Sequence, residues 1–206
     1  MDIKVCGMKN HQNMQEVAAL KPAYMGFIFY PQSPRYVNQP IAELPNTIQR
    51  VGVFVSDSIQ SVTAKVKLHK LNVLQLHGEE SASYISELKQ ALPKSIKIWK
   101  VFAVRSAFDF DLLTPFEPLV DAFLFDTKGP APGGNGFAFD WNILKLYPST
   151  TPVVISGGIG LNHKTQLQQL IATGIPLLAI DVNSQFELEP GLKNYKDLKT
   201  FFDYEL

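Results

Sequence analysis

One cysteine in 206 residues, Cys6, leaves no partner for an internal disulfide and no thiol set for a zinc site. Neither sign of charge is in excess: 19 lysines and arginines stand against 19 aspartates and glutamates, so the chain advertises no nucleic-acid face and no acidic-membrane partner. Long apolar runs are missing, and none approaches the roughly 20 residues that a bilayer crossing needs. No GxGxxG follows the first apolar run, which argues against a dinucleotide-binding sheet. Met1-Asp2-Ile3-Lys4-Val5 enters that run directly, without a basic-then-apolar leader. These absences predict a cytoplasmic protein of a reducing compartment, with no nucleic acid and no membrane among its partners.

What is present is a repeated alternation. Apolar residues make up 46% of the chain and charged residues 18%, enough for a packed core. Eight short runs, at 3–5, 24–28, 50–54, 73–75, 96–101, 122–125, 153–155 and 177–180, are mostly apolar at consecutive positions. Strands of a parallel sheet covered on both faces read this way. Stretches with helical spacing lie between them. Met14, Val17 and Ala18 follow Asn10 or Asn13 as a cap; Ile85, Leu88 and Leu92 follow Ser81 or Ser83. Leu167, Leu170 and Ile171 follow Asn162, with Gly174 placed for a left-handed C-terminal cap. Helices are expected also after Arg35 and Arg105, where prolines interrupt the spacing. Eight strand–helix units predict an α/β protein: a closed (β/α)8 TIM barrel, one domain over 1–206. An open doubly wound sheet is the alternative.

Chemistry in such barrels gathers at the C-terminal ends of the strands. The expected tips carry Cys6-Gly7, Ser33-Pro34-Arg35, Gln75-Leu76-His77-Gly78, Asp126, Ser156-Gly157-Gly158-Ile159 and Asp181-Val182-Asn183-Ser184. A thiol and a carboxylate on two tips would face one another across the mouth, as general acid–base chemistry requires. The plain alternative for Cys6 is a small buried hydrophobe. Gly157 and Gly158 admit close backbone approach, and their N–H groups, with Asn183 and Ser184 beside them, suit a phosphate; a tight turn is the alternative. Arg35 is either a clamp for a carboxylate or phosphate, or a solvated surface arginine. Residues 128–136, rich in glycine and proline, read as a cover over the site or as a long connection.

The ordered segments Lys4-Val5-Cys6-Gly7, Gly26-Phe27-Ile28-Phe29, Ser33-Pro34-Arg35-Tyr36-Val37, Arg50-Val51-Gly52-Val53-Phe54, Gln75-Leu76-His77-Gly78, Phe125-Asp126-Thr127, Gly133-Gly134-Asn135-Gly136, Phe139-Asp140-Trp141, Gly157-Gly158-Ile159, Asp181-Val182-Asn183-Ser184 and Pro190-Gly191 resemble the phosphoribosylanthranilate isomerase family of tryptophan biosynthesis, across essentially the whole chain. The resemblance implies a TIM barrel of the ribulose-phosphate-binding type. It also implies an Amadori rearrangement of N-(5-phosphoribosyl)anthranilate to 1-(2-carboxyphenylamino)-1-deoxyribulose 5-phosphate. No cofactor and no metal are implied. The partner is a small phosphoribosyl substrate, handled by a monomer or a homodimer.

By the same resemblance Asp126 is the general acid and Cys6 the general base. Arg35 holds the anthranilate carboxylate, and Gly157, Gly158, Asp181, Asn183 and Ser184 hold the phosphate. His77 hydrogen-bonds substrate or has a structural role at its strand end, and Trp141 packs. The family usually reads Asp-Val-Ser-Ser-Gly-Val-Glu where this chain has Asp181-Val182-Asn183-Ser184-Gln185-Phe186-Glu187. A positive φ at Gln185 would be strained. Asn135 replaces a frequent threonine. A histidine-pathway isomerase of the same chemistry is the rival enzyme, but it carries aspartate where Cys6 stands. A non-catalytic phosphate-binding barrel is the rival outside enzymes, and the joint presence of Cys6 and Asp126 argues against it.

Overall fold

Strands buried on both faces need apolar residues at successive positions, and Val73-Leu74-Gln75-Leu76 is buried at every one. The computed structural model describes residues 1–127 and 140–204. Eight such strands pair in parallel, each with its sequence neighbour: β1 (Asp2–Val5), β2 (Tyr24–Ile28), β3 (Gln49–Phe54), β4 (Val73–Leu76), β5 (Lys97–Val104), β6 (Ala122–Thr127), β7 (Val153–Ile155) and β8 (Leu177–Val182). β8 returns to β1, in register from Asp2 opposite Ala179 to Val5 opposite Val182, and the barrel is closed. The open-sheet alternative is thereby excluded.

Side chains alternate between the two faces of a strand. Val51, Val73, Trp99, Val101, Ala122, Leu124, Val154 and Ala179 form one buried cluster that fills the barrel interior. The residues between them pack outward in a second, larger cluster against the helices. Two residues beyond Val73, Leu124 and Ala179, on the same inward face, come Gln75, Asp126 and Asp181. Polar groups therefore replace hydrophobes one layer up, toward the C-terminal mouth.

The helices α1 (His11–Ala18), α2 (Ile59–His69), α3 (Ala82–Ala91), α4 (Lys164–Ile171) and α5 (Tyr195–Phe202) cover the outside. Asn10 caps α1 through Asn13 N–H, at 2.9 Å, and Ser81 caps α3 through Tyr84 N–H, at 3.2 Å. Asn162 is no cap: a 3-10 turn, Leu161–His163, precedes α4. Gly174 takes the expected left-handed conformation, φ 77°. Among the described residues no helix is long and apolar enough to cross a membrane.

The helices expected after Arg35 and Arg105 do not form. Residues 29–48 run as turns and extended chain with one bridge, Ile28 to Tyr36, and β5 is followed only by the 3-10 turn Phe110–Leu113. Pro31, Pro34, Pro40 and Pro45 in the first segment, and Pro115 and Pro118 in the second, each remove an amide donor and disfavour helical geometry one residue before. Aromatic rings do the covering instead. Phe125 meets Phe108, Phe110 and Tyr147 edge-on, with centroids 5.3, 6.4 and 5.9 Å away. Trp141 is buried and packs on the His163 ring, as expected of a packing residue.

Phe125 is wholly buried in this ring cluster. Phe125→Ala is expected to cost about 3–5 kcal/mol in denaturant unfolding, whereas Leu112→Ala, at an exposed position on the same side, should stay within about 0.5 kcal/mol. Equal losses would show that the rings do not carry this side of the barrel.

Candidate active site

The polar layer above the barrel core opens into one pocket. Its lining draws on seven strand ends, including Cys6, Ser33, Gln75, His77, Asp126, Ser156, Gly157, Gly158, Asp181, Asn183, Ser184 and Gln185. Every site residue expected from the sequence, Arg35 excepted, lies on this wall.

Cys6 follows β1, and its amide donates to Val182 O at 2.9 Å, extending the β1–β8 pairing to the rim. Space for the sulfur comes from Gly26 on β2: a Cβ there would stand 2.7 Å from Cys6 Sγ and 3.0 Å from its Cα. Burial pushes the Cys6 thiol up, against the pull of the Lys4 ammonium. Lys4 lies two residues earlier on the same inward face, fully buried, with its Nζ 2.7 Å from Asp181 Oδ2.

Asp126 is part of β6. Its Oδ1 accepts from the Thr127 amide at 2.9 Å, and its Oδ2 lies 3.4 Å from His77 Nε2. His77 Nδ1 is in turn 3.5 Å from Gln75 Nε2. Of the two roles open to His77, the geometry shows a ring standing beside the carboxylate and facing the pocket.

The loop after β7 is shaped by its glycines. Gly157 and Gly158 have φ of 92° and 65°, and a Cβ on Gly157 would stand 2.6 Å from Thr127 N. A side chain is thus excluded twice, by conformation and by space. Across from it, Asn183 Oδ1 accepts from Lys193 Nζ at 2.7 Å, and Ser184–Phe186 make a 3-10 turn. Gln185 sits in that turn and is absent from the positive-φ residues, so it replaces glycine without the strain feared from the sequence. Asp181 departs from its expected place. It belongs to β8 rather than to the loop, is tied to Lys4, and as a carboxylate has no hydrogen to give a phosphate. Burial raises it above the ordinary carboxylate range, with Lys4 opposing.

Arg35 is neither a pocket wall nor a free surface arginine. Its Nε and Nη2 make a two-pronged contact with Glu187, at 2.6 to 3.0 Å. Nη1 has no acceptor among the described residues. Glu187 also accepts from Lys193 Nζ at 2.6 Å and from Gly191 N at 3.1 Å. Burial works against the charged form of Glu187, yet Arg35 and Lys193 hold it below the usual carboxylate range. A two-stranded hairpin, β9 (Glu187–Glu189) and β10 (Leu192–Lys193), presents both residues.

Lys4, Glu187 and Lys193 were not among the residues singled out from sequence. Lys4 had a signal: a charge inside an apolar run, two positions before the thiol. Lys193 had none, since its place depends on the hairpin. Among the described residues, no group of three or more His, Cys, Asp or Glu side chains is arranged to hold a metal ion. The segment Gly133-Gly134-Asn135-Gly136, with Phe139, lies outside the described residues.

A family model described as N-(5'phosphoribosyl)anthranilate (PRA) isomerase matches residues 3–204. A relative from Parabacteroides distasonis, named N-(5'-phosphoribosyl)anthranilate isomerase, is 41% identical over 208 residues, covering 98% of this chain and 91% of the relative. The crystal structure of phosphoribosyl anthranilate isomerase from Thermotoga maritima superposes with a TM-score of 0.83 at 28% identity, over 99% of this chain and 98% of that one. A further solved isomerase, in complex with reduced 1-(o-carboxyphenylamino)-1-deoxyribulose 5-phosphate, matches with a TM-score of 0.78 at 25% identity, over 99% of this chain and 97% of that one. By this near full-length match in sequence and in fold, the chain belongs to the phosphoribosylanthranilate isomerase family.

Proposed function

We propose that this chain catalyses the Amadori rearrangement of N-(5-phosphoribosyl)anthranilate to 1-(2-carboxyphenylamino)-1-deoxyribulose 5-phosphate, with Asp126 as general acid and Cys6 as general base. The observation that carries the reading is one pocket lined by both residues, each at the end of its strand, with the two left-handed glycines on the same wall. A relative bound to the reduced form of this product supports it. The presence of the thiol speaks against the histidine-pathway alternative.

Asp126 gives its proton to the furanose ring oxygen, the C1–O bond breaks, and the anilino nitrogen supplies the electron pair that makes an iminium at C1. Cys6, as thiolate, takes the proton from C2. The electrons of that C–H bond form the C1–C2 double bond of an enolamine, which tautomerises to the ketone. One proton leaves the enzyme and one arrives, so the reaction is an isomerisation without a redox partner. The Gly157 and Gly158 backbone, with Asn183 and Ser184, supplies donors for the phosphate. The Nη1 group of Arg35, left over from its contact with Glu187, meets the anthranilate carboxylate.

The protein is read as a monomer or a homodimer. The reading is of a cytoplasmic biosynthetic enzyme built as one barrel domain.

Cys6→Ala and Asp126→Asn are each expected to lower turnover about a hundredfold or more while affinity for a phosphoribosyl ligand changes little. Fluorescence of freshly made substrate follows the reaction, and near-normal turnover in either variant would remove that residue from the mechanism. The pH profile gives a separate check. The reactive form, acid protonated and thiol ionised, carries the same number of protons as the resting thiol–carboxylate pair, so its share is constant while the pair holds one proton. Burial raises the thiol, so the last proton leaves only above the ordinary thiol range. Accordingly kcat/KM should be flat through neutrality and fall beyond that range. A rate climbing tenfold per pH unit through it would mean that thiolate alone limits and that Asp126 gives no proton.

A further inference from the structure

The mechanism leaves two buried charges at the mouth unused, Lys4 and Asp181. They are opposite each other in the β1–β8 register, with both side chains turned into the barrel and joined at 2.7 Å. Lys4 lies in β1 and Cys6, two residues on, directly follows that strand, so the ammonium lies beneath the thiol on one inward face. Asp181 lines the same pocket as Cys6. One of its oxygens is bonded to Lys4, while the other, Oδ1, is buried without a hydrogen-bond partner among the described residues. Among the described residues, the other charged groups around Cys6 are compensated or stand across the pocket. Lys193 of β10 is engaged by Asn183 and Glu187. Arg35, which packs beside Gly7, is held by Glu187. Asp126 and His77 face one another on the far wall, and β2 contributes the uncharged Gly26.

We propose that Lys4 and Asp181 are positioning residues that control the Cys6 base electrostatically, the ammonium favouring the thiolate and the carboxylate opposing it. This rests on Cys6 acting as the base. A thiol so far from water gains a nearby cation in Lys4. A fully buried ammonium needs an anion beside it; Asp181 is that anion at rest, and the Cys6 thiolate can take its place. The arrangement thus holds a permanent positive charge under the sulfur, while the neighbouring anion stops the thiol from ionising outright. The direction of burial and of each neighbour's effect on Cys6 agrees with this division of roles.

The two charges act on the sulfur with opposite sign, which a merely structural pair would not do. Cys6 is the chain's only cysteine, so alkylation by iodoacetamide across pH reads one residue without separation of signals. In the full-length protein without substrate, Lys4→Met should move the midpoint upward, leaving about tenfold less thiolate at a fixed pH below it. Asp181→Asn should move it downward, with about tenfold more thiolate, because the ammonium then has only the sulfur to pair with. The double variant, in which the ion pair is replaced by neutral groups, should lie between. The alkaline fall of kcat/KM should follow the thiol in each variant. If Lys4→Met does not fold, the step from Asp181→Asn to the double variant measures the same ammonium, and the midpoint must rise. Midpoints that move the same way in both single variants, or that stay put in folded protein, overturn the proposal. The titration needs no turnover, so failure of the isomerase assay would leave it readable.

Discussion

The register between the first strand and the last is the constraint on which the mouth of this barrel depends. Closing β8 onto β1 sets Lys4 against Asp181 and carries Cys6 to the amide-bonded rim beside Val182. A slip of one residue would turn every inward side chain outward. The thiol would then face the helices, and Lys4 would be left as an uncompensated cation in an apolar shell. Placement of the proposed base and closure of the barrel are therefore one structural event, enforced by the cost of burying an unpaired charge.

Asp126 is held in a different way. It continues the inward series of β6 beyond Leu124, at the height where the core gives way to polar groups, and the Thr127 amide fixes one of its oxygens. His77 and Gln75, both from the β4 end, stand behind its other oxygen. Thiol and carboxylate thus sit in unlike surroundings on one pocket wall: the first above a buried ion pair, the second facing a histidine. Two titratable groups in environments that differ in this way are what acid–base chemistry on a single substrate needs.

The barrel, the eight strands and most of the pocket were legible in the sequence because they rest on local rules. Consecutive apolar residues mark strands covered on both faces, and the residue that follows such a run stands at the mouth. Paired glycines mark the turn after β7, where space and left-handed backbone coincide. Legibility failed where a contact spans the chain. Proline-shaped turns stand in place of the helices after Arg35 and Arg105, joined in the second case by aromatic packing on β5 and β6. Nothing local in the sequence announces that Asp181 continues β8 or that its partner lies 177 residues away. The partner of Arg35 is equally hidden from local sequence, since Glu187 stands 152 residues on.

These long separations bear on how the protein comes into being. The sulfur at residue 6 reaches its working surroundings only after β8 has been made and has closed on β1, and Arg35 waits longer still, for the hairpin at Glu187. Contacts between distant parts of a chain form late and slowly. During synthesis, then, the thiol stays on an unfinished sheet, at the end of a strand paired with β2 on one side and open on the other. The last strand acts as a commissioning step, silencing a chemical hazard and creating the site in the same movement.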